Sequence, residues 1–118
     1  RISPDRMLAG TSSALNRFAS TAADAGDDRY AHTDLQVFAG LVEGSAKTAD
    51  VLRPIVVKVD PKAFEGIDAQ VSAVKAMLSA QNGKAYDTLS ADEKAKIKDG
   101  ATALAEQFSK LRDQLGVD

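Results

Sequence analysis

A chain of 118 residues, 44% hydrophobic and 27% charged, is long enough for one domain that buries about two thirds of the surface its unfolded form exposes, so no covalent or metal staple is required. Its 15 Lys and Arg against 17 Asp and Glu leave a formal charge of −2, mixed along the chain, which argues against nucleic acid and anionic membrane as partners. With no Cys, the sequence excludes disulfides, thiolate zinc sites, thiol catalysis and cluster ligation, and leaves chemistry to carboxylates, hydroxyls and one imidazole, His32. No apolar run approaches the ~18 residues of a membrane span, and no signal-peptide pattern is read, so the chain is not expected to be integral to a membrane. A start at Arg1 rather than Met reads as a processed product or a fragment of a longer protein.

In chain order the signals are helical. Ser3 before Pro4 predicts an N-cap with proline at the first helical position, and Leu8, Thr11, Leu15, Phe18 and Ala22 follow at helical spacing until Gly26. Thr33 to Gln36 has the form of a capping box. It opens a second helix whose apolar face is Leu35, Phe38, Val42, Ala46, Ala49 and Leu52, and Pro54 is expected to kink or end it. The stretch PIVVKVD has the valines of a strand but no second strand to pair with, so it reads as a kinked helical continuation. Asp60 and Pro61 repeat the pattern of cap then proline, predicting a third helix along Phe64, Ile67, Val71, Val74 and Leu78 that stops at Asn82 and Gly83. Beyond a loop with Tyr86, Ser90 to Glu93 is another capping box, and Ile97, Ala101, Leu104, Phe108, Leu111 and Leu115 carry a fourth helix to about Gly116. Four amphipathic helices with short connections predict an all-α protein, an antiparallel four-helix bundle in a single domain over 1–118.

Gly40 and Gly44 lie four apart on one face of the second helix, which reads first as tight helix packing and second as a cleft facing a ligand. Gly10, Gly66 and Gly100 receive no role. An aromatic content of 5% without tryptophan gives no base-stacking surface and no aromatic sugar groove.

His32 stands among acids. Imidazole with carboxylates suits hard or borderline metal ions, and Asp27, Asp28, His32, Asp34 and Glu43 are near enough in sequence to form a candidate set. The spacing argues the other way: His32 and Asp34 straddle a helix start, and Leu35 and Gln36 follow, so there is neither H-x-x-E nor H-E-x-x-H. The competing reading places His32 just before the cap, packed on the first turn near Val37, with Asp34 at the positive end of the helix dipole and Thr33 and Gln36 as capping groups. One histidine and no G-x-S-x-G elbow offer no hydrolase arrangement, and no glycine loop is present to cradle a phosphate.

The stretch DRYAHTDLQVFAGLVEGSAKTADVLRP, with R-Y-x-H-T-D-L at 29–35, V-E-G at 42–44 and L-R-P at 52–54, resembles the imelysin-like peptidase family, which includes iron-uptake components of the EfeO/EfeM type and alginate-binding imelysin-like proteins. The resemblance continues through IDAQVSAVKAMLSA, YDTLSADEK and LAEQFSKLRDQLGVD, and so covers essentially the whole chain. It implies a bilobed fold of two helical bundles, of which this chain is the C-terminal lobe. The residues matching the family signature are Arg29, Tyr30, His32, Thr33, Asp34, Glu43 and Gly44. The acidic pair that precedes the signature becomes Gly26 and Asp27, with Asp28 retained, and the family's W-D becomes Gln36 and Val37.

The family's H-x-x-E metal motif belongs to the other lobe, so no peptidase activity is expected of this chain. What the resemblance implies is a periplasmic or otherwise extracytoplasmic protein that binds iron, or another divalent or trivalent metal ion, and delivers it to a membrane permease. This lobe would contribute a half-site: His32 as ligand or orienter, with Asp27, Asp28, Asp34 and Glu43 as oxygen donors. Partners would be the N-terminal lobe, the iron permease and associated uptake components. The alternatives are an alginate- or polysaccharide-binding protein and a structural or interaction lobe without its own site, which self-associates through apolar surface that faces the other lobe.

Overall fold

Helices open where a serine can satisfy a first-turn N–H at two of the four starts, and every helix turns one apolar line inward. The computed structural model describes residues 3–23, 34–58, 60–81 and 89–115, with helices α1 Pro4–Ala23, α2 Asp34–Val56, α3 Glu65–Ala80 and α4 Ala91–Gln114, and no strand among them. Ser3 Oγ accepts the N–H of Arg6 at 3.3 Å ahead of Pro4, as the sequence predicts. Ser90 and Glu93 form the predicted capping box: Ser90 Oγ accepts from Glu93 N–H at 3.1 Å, and the Glu93 carboxylate accepts from Ser90 N–H at 2.9 Å. The predicted box at Thr33, the stops at Gly26, at Asn82 and Gly83 and at Gly116, Tyr86 and the side chain of Ala22 lie outside the described residues.

Two expectations around the second turn are corrected. α2 runs two residues past Pro54 and ends at Val56, so only the first part of PIVVKVD is helical, and Val57 and Lys58 form a turn. α3 begins at Glu65, not at Pro61, and its N-cap Phe64 makes no side-chain cap. Asp60 spends its carboxylate on the N–H of Lys62 at 3.0 Å and its carbonyl on the N–H of Ala63 at 3.1 Å. Local bonding of this kind offers the backbone an alternative to helix, and it delays the helix by a turn. Glu65 and Asp68 then place negative charge at the positive end of α3.

The inner lines meet in one core: Leu8, Leu15 and Phe18 from α1, Phe38, Val42, Leu52 and Val56 from α2, Ile67 and Val74 from α3, Ile97, Leu104, Phe108 and Leu111 from α4. Full burial of each such Leu or Phe side chain contributes roughly 1.5–3 kcal/mol. The helices form a ring in which each touches its sequence neighbours and α1 closes on α4, the most extensive pairing. Cross-contacts show that every neighbouring pair is antiparallel, because residue numbers rise on one helix as they fall on the other. Asp5 pairs with Arg112, and Ser12 Oγ donates to the carbonyl of Ala105 at 3.1 Å. Phe18 stacks on Phe38 with ring centroids 4.8 Å apart, while Thr11 meets Thr48. Glu43 pairs with Lys75 at 3.3 Å, and Arg53 pairs with Asp68 at 2.9 Å.

Arg53 carries the corner from α2 to α3. Its two terminal nitrogens donate to the two oxygens of Asp68, each at 2.9 Å, a third contact reaches Asp50 at 3.4 Å, and its guanidinium lies 4.7 Å from the centroid of Phe64. The planar fork suits a carboxylate on one side and a ring on its face, a combination lysine cannot reproduce. The L-R-P triplet thereby acquires a structural meaning: Leu52 enters the core, Arg53 clamps the next helix and Pro54 sits exposed near the helix end.

The expectation that Gly40 and Gly44 mark tight helix packing is also corrected. Both are exposed, and a Cβ at either would meet nothing within 4 Å. The glycines that do mark a close approach are Gly66 on α3, where a Cβ would run into the side-chain amide of Gln107 of α4, and Gly100 on α4, where a Cβ would lie 3.2 Å from Met77 Cε and 3.3 Å from Val74 Cγ2 of α3.

Gly44→Ala is expected to stabilise the chain by roughly 0.5–1 kcal/mol in urea denaturation followed by circular dichroism, since it removes backbone freedom from an exposed helix interior without a clash; Gly100→Ala is expected to gain less or to lose stability. Arg53→Ala is expected to cost about 1 kcal/mol, discounted for the exposure of the pair, and Arg53→Lys to recover only part of it by the same assay.

Candidate functional site

Of the five candidate metal ligands, the fold places two. Asp34 is the first residue of α2, and Glu43 lies nine residues further along the same helix. Nine residues are two and a half turns, so the two positions face opposite sides of α2 and stand about 13–14 Å apart along its axis. The helix therefore does not bring them together. Glu43 is exposed and pairs with Lys75 of α3 at 3.3 Å. His32, Asp27 and Asp28, with Arg29, Tyr30 and Thr33, lie outside the described residues. Gln36 and Val37, the positions that depart from the family's W-D, are both exposed. Among the described residues no group of three or more His, Cys, Asp or Glu could hold a metal ion.

Several of the other acids the fold describes are engaged in helix contacts. Asp68 is clamped by Arg53, Asp5 by Arg112, and Glu93 by its capping box. The Arg53 guanidinium is held above its ordinary pKa chiefly by its hydrogen bond to Asp68, with partial burial opposing the rise. Arg112 is raised likewise by its hydrogen bond to Asp5. Both are fixed positive charges that tie helix ends together rather than groups that exchange protons.

Among the described residues the surface concavities include two between neighbouring helices. Between α3 and α4 lies a cleft of about 620 Å³, bordered by Gln70, Met77, Gln81, Lys96 and Asp99, and in the same structure the Gln81 Oε1 atom is buried without a hydrogen-bond partner. Its lining holds no nucleophile beside a base. Between α1 and α2 lies an open groove of about 440 Å³ whose floor is Gly10 and Ala14 on one side and Gly40 and Gly44 on the other. The hydroxyls at its edge are engaged within α2: Ser45 Oγ donates to the carbonyl of Leu41 at 2.6 Å and Thr48 Oγ1 to that of Gly44 at 3.0 Å. No aromatic side chain lines this groove, so it offers no stacking platform for a sugar.

Sequence reasoning missed a second apolar line on α2. Val37, Val51 and Ile55 are 48%, 61% and 58% exposed, and they are the large hydrophobic side chains left in solvent among the described residues. They continue through Leu41, Gly44 and Thr48 at alternating spacings of four and three, which puts all six on one face beside the inner line. The signal was legible in the spacing. It was hidden because the inner line occupies the very next positions.

No helix among the described residues is long and apolar enough to cross a membrane. The sequence is 34% identical over 119 aligned residues to the "Iron uptake system component EfeO" of Escherichia coli strain K12, and equally to the proteins of that name from Shigella flexneri and Shigella sonnei. The alignment takes in 98% of this chain and 32% of the relative, so the chain spans about a third of the length of the curated relatives it matches. The imelysin family, peptidase family M75, matches residues 1–114, and with agreement over nearly its whole length the chain belongs to that family.

Proposed function

We propose that the chain is the C-terminal helical lobe of an extracytoplasmic iron-uptake protein of the EfeO type, and that within such a protein it works as a scaffold and interaction lobe rather than as a self-sufficient metal site. One observation carries this reading: among the described residues no three donors converge, and Asp5, Glu43, Asp50, Asp68 and Glu93 are engaged by Arg112, Lys75, Arg53 and a helix cap. A cation needs several donors around one point, and carboxylates already paired with arginine or lysine are poor sources of them. The relatives' name supports a role in iron uptake for the whole protein, in which the rest of the polypeptide would complete the ligand set and deliver the metal ion to a membrane permease. Peptidase chemistry, the family's label, finds no supporting arrangement in the described part of this lobe.

A second reading is favoured by the sequence between α1 and α2, where Asp27, Asp28, His32 and Asp34 fall within eight residues. In that reading His32 is a ligand or orients one, the aspartates supply oxygen, and Glu43 contributes only after release from Lys75. An alginate-binding role has less support, because neither concavity among the described residues is lined by an aromatic ring.

Calorimetric titration of the 118-residue chain with Zn²⁺ and, under anaerobic conditions, Fe²⁺ separates these readings. The interaction-lobe reading predicts no stoichiometric heat from either metal. Binding of one ion per chain, lost in His32→Ala with helicity unchanged, would overturn it in favour of the metal site.

A further inference from the structure

We draw no further inference here: the strongest candidate, the cleft between α3 and α4 beside Gln81, carries nothing because the unpartnered Gln81 Oε1 is closed off from solvent and nothing in the structure shows what covers the cleft's largely apolar lining, edged by Lys96 and Asp99 alike.

Discussion

A helix in a ring of four can bury only one stripe of its surface, and α2 carries two. The inner line of Phe38, Val42, Ala49, Leu52 and Val56 is consumed by the core, where each residue is almost wholly removed from water. The outer line of Val37, Val51 and Ile55 remains 48–61% exposed, at the cost of apolar surface left in solvent. The rest of the molecule follows from how the ring closes. α1 and α4 pair most extensively, tied by Asp5 with Arg112 and by Ser12 with Ala105, and an open groove bordered by glycine and alanine runs between α1 and α2.

The distribution of charge points the same way as the distribution of apolar surface. Arg53 contacts Asp68, Asp50 and the face of Phe64 at once, so a single side chain ties α2 to the first turn of α3. Lys75 holds Glu43 on the far side of α2 from the start of the helix. These pairs cross-link neighbouring helices, and of the candidate ligands they engage Glu43. The chain belongs to the imelysin family and spans about a third of the length of the iron-uptake relatives it matches.

Much of the fold could be read from the sequence because its signals are local. Ser3 with Pro4 and Ser90 with Glu93 announce helix starts through bonds that span three residues, and the stripe from Ile97 to Leu111 repeats at the helical period. Asp60 with Pro61 misled because the same residue types also build turns, and the choice between turn and cap depends on what Phe64 and Arg53 do in three dimensions. Gly40 and Gly44 could be assigned to one face of α2, but sequence spacing says nothing of whether a neighbour stands opposite. Arg53 drew no attention because its partner Asp68 lies fifteen residues away, beyond any local pattern. Of the candidate site, the spacing of Asp34 and Glu43 already placed them on opposite sides of a helix; the pairing of Glu43 with Lys75 needed the fold.

The account rests on the division of α2 into a line that the fold uses and a line that it does not. Urea unfolding of single alanine variants along both lines, at concentrations low enough to keep the chain monomeric, measures that division directly. The account predicts that Val42→Ala and Leu52→Ala each lose about 2–4 kcal/mol, while Val37→Ala, Val51→Ala and Ile55→Ala stay within about 0.5 kcal/mol of the parent chain. Losses on the outer line as large as those on the inner line would mean that the monomer already buries both, and would contradict it.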